Sequence, residues 1–274
     1  MNRLFALALA AALAIAVAFL ALPVLALFLR VPPGDLVAQL TDERALDALV
    51  VSLRTSLAAH VLILIVGTPA AYLLATRTFR GRALVVSLLE LPLVLPPAVA
   101  GLGLFAAFGR SGLLGDELSA LGLEIPFTQL AVVLAICFVA SPFYVRGAIA
   151  AFEAVDPALL GAARTLGARP FRVFGRVALP LARGGLGAGS TLAFARGLGE
   201  FGATIMFAGN LPGLTQTAPL AIYDAFDEDF EVAIALGALL VAVSVGILVA
   251  AKLMTSWTRS PSPSTILSAP FGSR

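Results

Sequence analysis

Three ionisable residues lie deep inside long apolar stretches: Glu90, Arg196 and Glu200. A charge in such surroundings is costly and marks either an internal pair or a pathway for ions. Arg196 and Glu200 stand four residues apart, which puts them on one helical face where they neutralise each other. Gly199 and Gly202 flank Glu200 and Phe201, leaving the backbone free to bend or unwind there, and Thr204 adds a hydroxyl. A cation, a carboxylate, a hydroxyl and a pliable backbone suit passing contact with an anion. A conducting path needs contacts weak enough to let the ion leave. A structural ion pair and close helix packing account for the same residues. Glu90 precedes Pro92, Pro96 and Pro97 and is expected to pair with Arg196. His60 and Cys137 stand singly in apolar stretches and read as packed residues. One His and one Cys exclude a disulfide framework and argue against a Cys/His metal site. No cluster of acids, His or nucleophile suggests an enzyme, so no catalytic residue, metal or cofactor is expected.

The elements that carry these residues follow from composition. Of 274 residues, 60% are hydrophobic and 12% charged, about half the charged share of a soluble globular chain. Disorder is excluded by the same figures. The chain reads as an all-α polytopic membrane protein. Apolar stretches at about 4–29, 55–75, 83–108, 128–150, 185–208 and 231–253 predict six spans. The first is too long for a signal peptide and reads as an uncleaved helix. The prolines of the third span predict a kink, and the carbonyls it frees require an interior position. In the fifth span, Gly185 and Gly189 form a small-xxx-small pair that permits close packing.

Basic residues set the orientation. Arg77, Arg80, Arg82, Arg146, Arg164, Arg169, Arg172, Arg176 and Arg183 fall on one side, with Arg3, Lys252, Arg259 and Arg274 at the ends. That side is expected to be cytoplasmic, with both termini inside. Asp35, Asp42, Glu43, Asp47, Asp116, Glu117, Glu124 and Asp227 to Asp229 fall on the other. The net charge of +2 gives no basic field for nucleic acid. No clear internal repeat is visible, which weakens an inverted-repeat carrier. The Ser/Pro-rich tail at 258–274 reads as a disordered segment after a membrane domain of 1–257.

The longest inside loop, 152–184, contains a short helix with both ends marked. Asp156 suits the N-cap, Pro157 the first helical position, and Gly167 a left-handed end, predicting a helix over 157–166. Leu159, Leu160, Ala163 and Leu166 give it an apolar face, and Ala162 and Ala163 permit close approach. Pro170 to Val177 forms a second short segment, and Pro180 is expected to stop the chain before the next span. A membrane-hugging connector and a docking knob for a cytoplasmic partner both fit.

The stretch GAARTLGARPFRVFGRVALP from Gly161 resembles the signature loop of ABC-importer permease subunits. In that pattern Glu-Ala-Ala, three residues, Gly and nine residues precede Ile-x-Leu-Pro. Ala162, Ala163, Gly167, Leu179 and Pro180 fall on it; Val177 replaces Ile, and Gly161 replaces the Glu. LPLVLPPAVAGLGL from Leu91, Pro142–Phe143, FEAVDP from Phe152, LAFARGLGEFGATIMFAGNLPG from Leu192 and TQTAPLAIY from Thr215 resemble the molybdate branch of the family. That family also takes tungstate, sulfate and thiosulfate. The resemblance covers about 50–225. It implies a homodimeric pore in a bacterial-type plasma (inner) membrane, two copies of a separate cytoplasmic ATPase, and an extracytoplasmic oxyanion-binding protein. It implies ATPase coupling through Asp156, Leu160, Ala162, Ala163, Arg164, Gly167, Leu179 and Pro180. The translocation path or gate is expected at Arg196, Gly199, Glu200, Gly202, Thr204 and Glu90. ATP hydrolysis falls to the partner, since this chain has no phosphate-binding G-x-x-x-x-G-K-[ST] and its only lysine is Lys252. A sulfate or thiosulfate permease and a secondary carrier are the alternatives.

Overall fold

The computed structural model describes residues 3–32, 34 and 41–256, so the tail at 258–274 and Asp35 lie outside it. Among the described residues the chain is helical: α1 (Arg3–Arg30), α2 (Glu43–Thr76), α3 (Arg82–Val94), α4 (Pro97–Phe108), α5 (Gly115–Ala120), α6 (Gln129–Glu153), α7 (Pro157–Thr165), α8 (Pro170–Val173), a π-turn (Phe174–Ala178), α9 (Leu179–Leu198), α10 (Gly202–Ala208), α11 (Ala218–Glu228) and α12 (Phe230–Ser256). In lipid the backbone must satisfy its own polar groups, and helices do so within each segment.

Four of these helices, α1, α2, α6 and α12, are long and apolar enough to cross a membrane. The pair α3 and α4 passes the same test jointly but is bent by 116°. The kink expected within 83–108 is a full break between two helices. Pro96 stands at the N-cap of α4 and Pro97 in its first turn, where a missing N–H costs nothing, so the chain restarts rather than kinks. Within the chain α3 buries no residue, whereas α4 buries Ala100, Gly101 and Leu104.

The core sits around α6. Ala131, Val132, Ala135, Ile136, Val139, Ala140, Tyr144, Ala148 and Phe152 are buried along it. It packs mainly against α2 and α9. Its start is capped by Thr128, whose hydroxyl accepts from Ala131 N at 3.3 Å. Asp42 caps α2 in the same way, accepting from Ala45 N at 2.9 Å. Polar side chains add specific links between these helices: Thr68 Oγ1 to Tyr144 OH at 2.6 Å, and His60 Nε2 to Ser190 Oγ at 2.8 Å.

Glycines let α9 lie close to α6. A Cβ on Gly185 would stand 2.5 Å from the Ala151 Cβ, and one on Gly197 2.8 Å from Ile136 Cγ2. Between them, Gly189 faces Gly147. The small-residue pair expected from sequence thus packs against α6. A Gly185→Leu variant is expected to lose about 1–3 kcal/mol by overpacking, read as a lowered unfolding midpoint of the purified protein. An unchanged midpoint would contradict this packing.

α1 buries none of its residues and reaches the rest of the chain chiefly through α12, with Leu27 near Gly237. Its exposed leucines and phenylalanines suit hydrocarbon rather than water.

Candidate functional site

The fifth apolar stretch is broken where its glycines allow. α9 ends at Leu198, Gly199 to Phe201 leave the helix, and α10 begins at Gly202. Glu200 holds this break together. Its side chain is 1% exposed, and its Oε2 forms an ion pair with Arg196 Nη2 at 2.7 Å. The Oε1 accepts from Ala203 N at 2.8 Å, in the first turn of α10. One buried carboxylate therefore pairs with a cation in the last turn of α9 and satisfies an orphan donor of α10. A buried charge persists only when paired and hydrogen-bonded in this manner. The Arg196 side chain is 30% exposed, so the pair presents its cation outward and its anion inward.

The two broken stretches cross at this point. A Cβ on Gly202 would lie 2.5 Å from the Pro97 Cβ, and one on Gly101 2.6 Å from the Ala203 carbonyl oxygen. The start of α10 thus packs directly on the start of α4. Gly199 is exposed with open space around it. Thr204 is fully buried, and its hydroxyl has no hydrogen-bond partner.

Glu90 does not join this group. Its Oε1 lies 3.1 Å from Arg146 Nε, so the expected pairing with Arg196 is corrected. A second pair, Arg82 Nη2 to Glu153 Oε1 at 2.6 Å, ties the start of α3 to the end of α6. The two pairs run in opposite polarity, which fixes α3 against α6 in one register, and Val86 of α3 adds a partly buried apolar contact with the core.

The 152–184 segment forms a compact knob. Asp156 Oδ1 accepts from Ala158 N at 2.8 Å, and Pro157 opens α7. The helix closes with a Schellman motif. Ala168 N donates to Ala163 O and Gly167 N to Arg164 O, both at 3.0 Å, with Gly167 at φ +82°. Of its apolar residues only Leu160 is buried, Ala163 is half-buried, and Leu159 and Leu166 are exposed. Ala162, Arg164 and Gly167 also lie on the exposed surface.

Pro180 does not stop the chain, contrary to the sequence expectation. Helical backbone runs from Pro170 through the π-turn into α9, with Leu179 N donating to Phe174 O. The extra residue in the π-turn absorbs the carbonyl displaced by proline, a recurrent way of keeping a helix continuous. Leu179 and Pro180 are exposed at the start of α9. Phe174 packs on Tyr72 with ring centroids 4.9 Å apart, and Tyr72 on Phe152 at 5.3 Å. These rings anchor the knob to α2 and α6. The second half of the knob, from Pro170 onward, and Arg196 therefore lie on one continuous helical rod, and α7 joins it through the turn at 166–169.

Sequence reasoning missed a polar lock beyond α10. Asp224 accepts from Asn210 Nδ2 at 2.7 Å and from Gln216 Nε2 at 2.8 Å. Ser52 Oγ accepts from Ala218 N at 2.7 Å, holding the start of α11 against α2. The signal available was GNLPGLTQT itself, a polar run with two glycines between apolar helices.

Comparison with known proteins places the chain. Residues 63–259 match the family model described as binding-protein-dependent transport system inner membrane component. The molybdenum transport system permease protein ModB of Mycobacterium tuberculosis is 44% identical over 228 residues, covering 83% of this chain and 86% of that protein. The protein of the same name from Escherichia coli K12 is 46% identical over 178 residues, covering 65% and 78%. Among solved structures, a chain of a bacterial alginate ABC transporter, crystallised with its pentasaccharide-bound periplasmic protein, superposes with a TM-score of 0.72 at 18% identity. That match covers 92% of this chain and 93% of the other. The chain belongs to the family of inner-membrane components of binding-protein-dependent transport systems, the permease subunits of ABC transporters.

Proposed function

We propose that this chain is the permease subunit of an ATP-driven importer of molybdate or tungstate. The observation that carries this reading is its 44% and 46% identity to relatives named as molybdenum permeases. In this reading two copies form the pore, and each supplies six crossings: α1, α2, α3–α4, α6, α9–α10 and α12. Residues 1–257 make the permease domain and 258–274 a cytoplasmic tail. The arginine-rich ends and loops, Arg77, Arg80, Arg164, Arg169 and Arg172 among them, favour a cytoplasmic side shared with both termini.

A separate ATPase grips α7, whose exposed tip carries Ala162, Arg164 and Gly167. Gly161 removes one carboxylate from that contact. ATP binding draws the two ATPase copies together, and the knob moves with them. The continuous rod from α8 through α9 carries the movement to the break at Gly199–Phe201, where α10 shifts against α4. An extracytoplasmic binding protein delivers the oxyanion to the opposite mouth. Arg196, Gly199, Glu200 and Gly202 border the path. Thr204, being buried, acts in packing in the state described, and Glu90 acts through its pair with Arg146.

Uptake of radiolabelled molybdate at nanomolar concentration, in cells lacking this gene and in the parent, tests the reading. Uptake is expected to be lost with the gene, and in the parent to be blocked by tungstate but not by excess sulfate. Lost sulfate uptake with unchanged molybdate uptake would move the protein to the sulfate branch.

A further inference from the structure

The Arg196–Glu200 pair is lopsided in a way that bears on how tightly the path holds its cargo. Both carboxylate oxygens of Glu200 are engaged, one by Arg196 Nη2 and one by Ala203 N, and the group is buried. The guanidinium carries five N–H donors. Its Nη2 stands 2.7 Å from the Glu200 carboxylate, and about a third of the side chain is open. An unopposed guanidinium binds a tetrahedral dianion in a bidentate, charge-assisted manner. In the low dielectric of a membrane interior such a contact would be a trap. Throughput requires the opposite, binding weak enough for release.

We propose that Glu200 is an attenuator: by neutralising Arg196 it turns an oxyanion trap into a brief contact. The inference rests on the reading of this chain as an oxyanion permease. Glu200 is a positioning residue here, since it acts through Arg196 and not on the anion. The arrangement gives Glu200 two separable duties. Its Oε1 caps α10, which a neutral amide oxygen can also do. Its charge tempers Arg196, which a neutral amide cannot.

The test is Glu200→Gln in the assembled permease–ATPase complex in lipid nanodiscs, with no binding protein and no nucleotide. The readout is direct binding of radiolabelled molybdate, with sulfate and added chloride as competitors. Glu200→Gln is expected to bind molybdate about tenfold more tightly than the parent complex, or better. The gain should fall with added salt and vanish in Arg196→Gln/Glu200→Gln. Uptake in cells should slow, because bound anion leaves reluctantly. A merely structural carboxylate predicts poorer assembly and no gain in binding.

Where Glu200→Gln fails to assemble, Glu200→Asp withdraws the charge from Arg196 by one methylene and should show the same gain in smaller degree. Unaltered binding in an assembled variant, with wild-type uptake, would overturn the attenuator. So would a gain that persists without Arg196. Failure of the parent to transport any oxyanion would instead overturn the functional reading beneath it.

Discussion

Replacing Arg196 with alanine is expected to remove most of the folded protein from the membrane. The substitution leaves Glu200 1% exposed with no cation beside it. Breaking a buried pair from one side costs about 3–5 kcal/mol, against a total stability of about 5–15 kcal/mol for a typical domain. The loss is not shared equally between the partners. Glu200→Gln leaves a guanidinium that is 30% exposed and can find water or headgroups, so it is the milder change. Arg196→Ala combined with Glu200→Gln removes both charges and keeps the cap on Ala203 N, and should recover most of the loss. The measurements are the yield of monodisperse protein after detergent extraction and the midpoint of its thermal unfolding. An Arg196→Ala protein as stable as the parent would show that the carboxylate is not buried as described.

The ion pair was legible in the sequence because it is local. Two residues four apart in a helical stretch meet whatever the tertiary fold, and the break beside them was marked by Gly199 and Gly202. The ends of α7 were legible for the same reason, since Asp156, Pro157 and Gly167 act within one turn. Its predicted end at 166 differs from the observed Thr165 by a single residue. Pairings between distant segments were not legible. Glu90 was assigned to Arg196 because both lie in apolar stretches, but residues 90 and 146 meet only because α3 lies along α6. The same holds for His60 with Ser190, and for Asp224 with Asn210 and Gln216, where polar side chains find partners that only the fold brings near.

Prolines misled in both directions, and the reason is positional. Pro96 and Pro97 separate α3 from α4 because they stand at a helix start, where the missing N–H is harmless and the chain is free to turn. Pro180 was expected to separate two segments and does not, because the π-turn at Phe174–Ala178 accommodates it. A π-turn has no sequence signature of its own. Its consequence is structural: α8 and the break share one rod, which a loop at Pro180 would have interrupted.

In the proposed coupling, Gly167 is the most sensitive single position of the knob, because it sets the turn between α7 and the rod. Its φ of +82° lies in the left-handed region, and nothing stands within 4 Å of where a Cβ would be. A substitution there meets no clash, so its whole effect is conformational. A β-branched residue is strained in this region by about 1–2 kcal/mol, enough to unwind the exposed end of α7 and turn its tip. The buried core is untouched, so Gly167→Val should reach the membrane at parental levels with an unchanged unfolding midpoint. Transport should nevertheless fall at least about tenfold, the equivalent of 1.4 kcal/mol lost from a docking contact, and copurification of the ATPase should fall with it. Gly167→Asp adds a charge at the tip and is expected to abolish transport while leaving the chain inserted. Gly167→Asn should lie nearest the parent, because asparagine tolerates the left-handed region. The order Gly, Asn, Val in both uptake and ATPase retention separates a conformational cause from a side-chain contact. Normal uptake by Gly167→Val would remove α7 as the docking element.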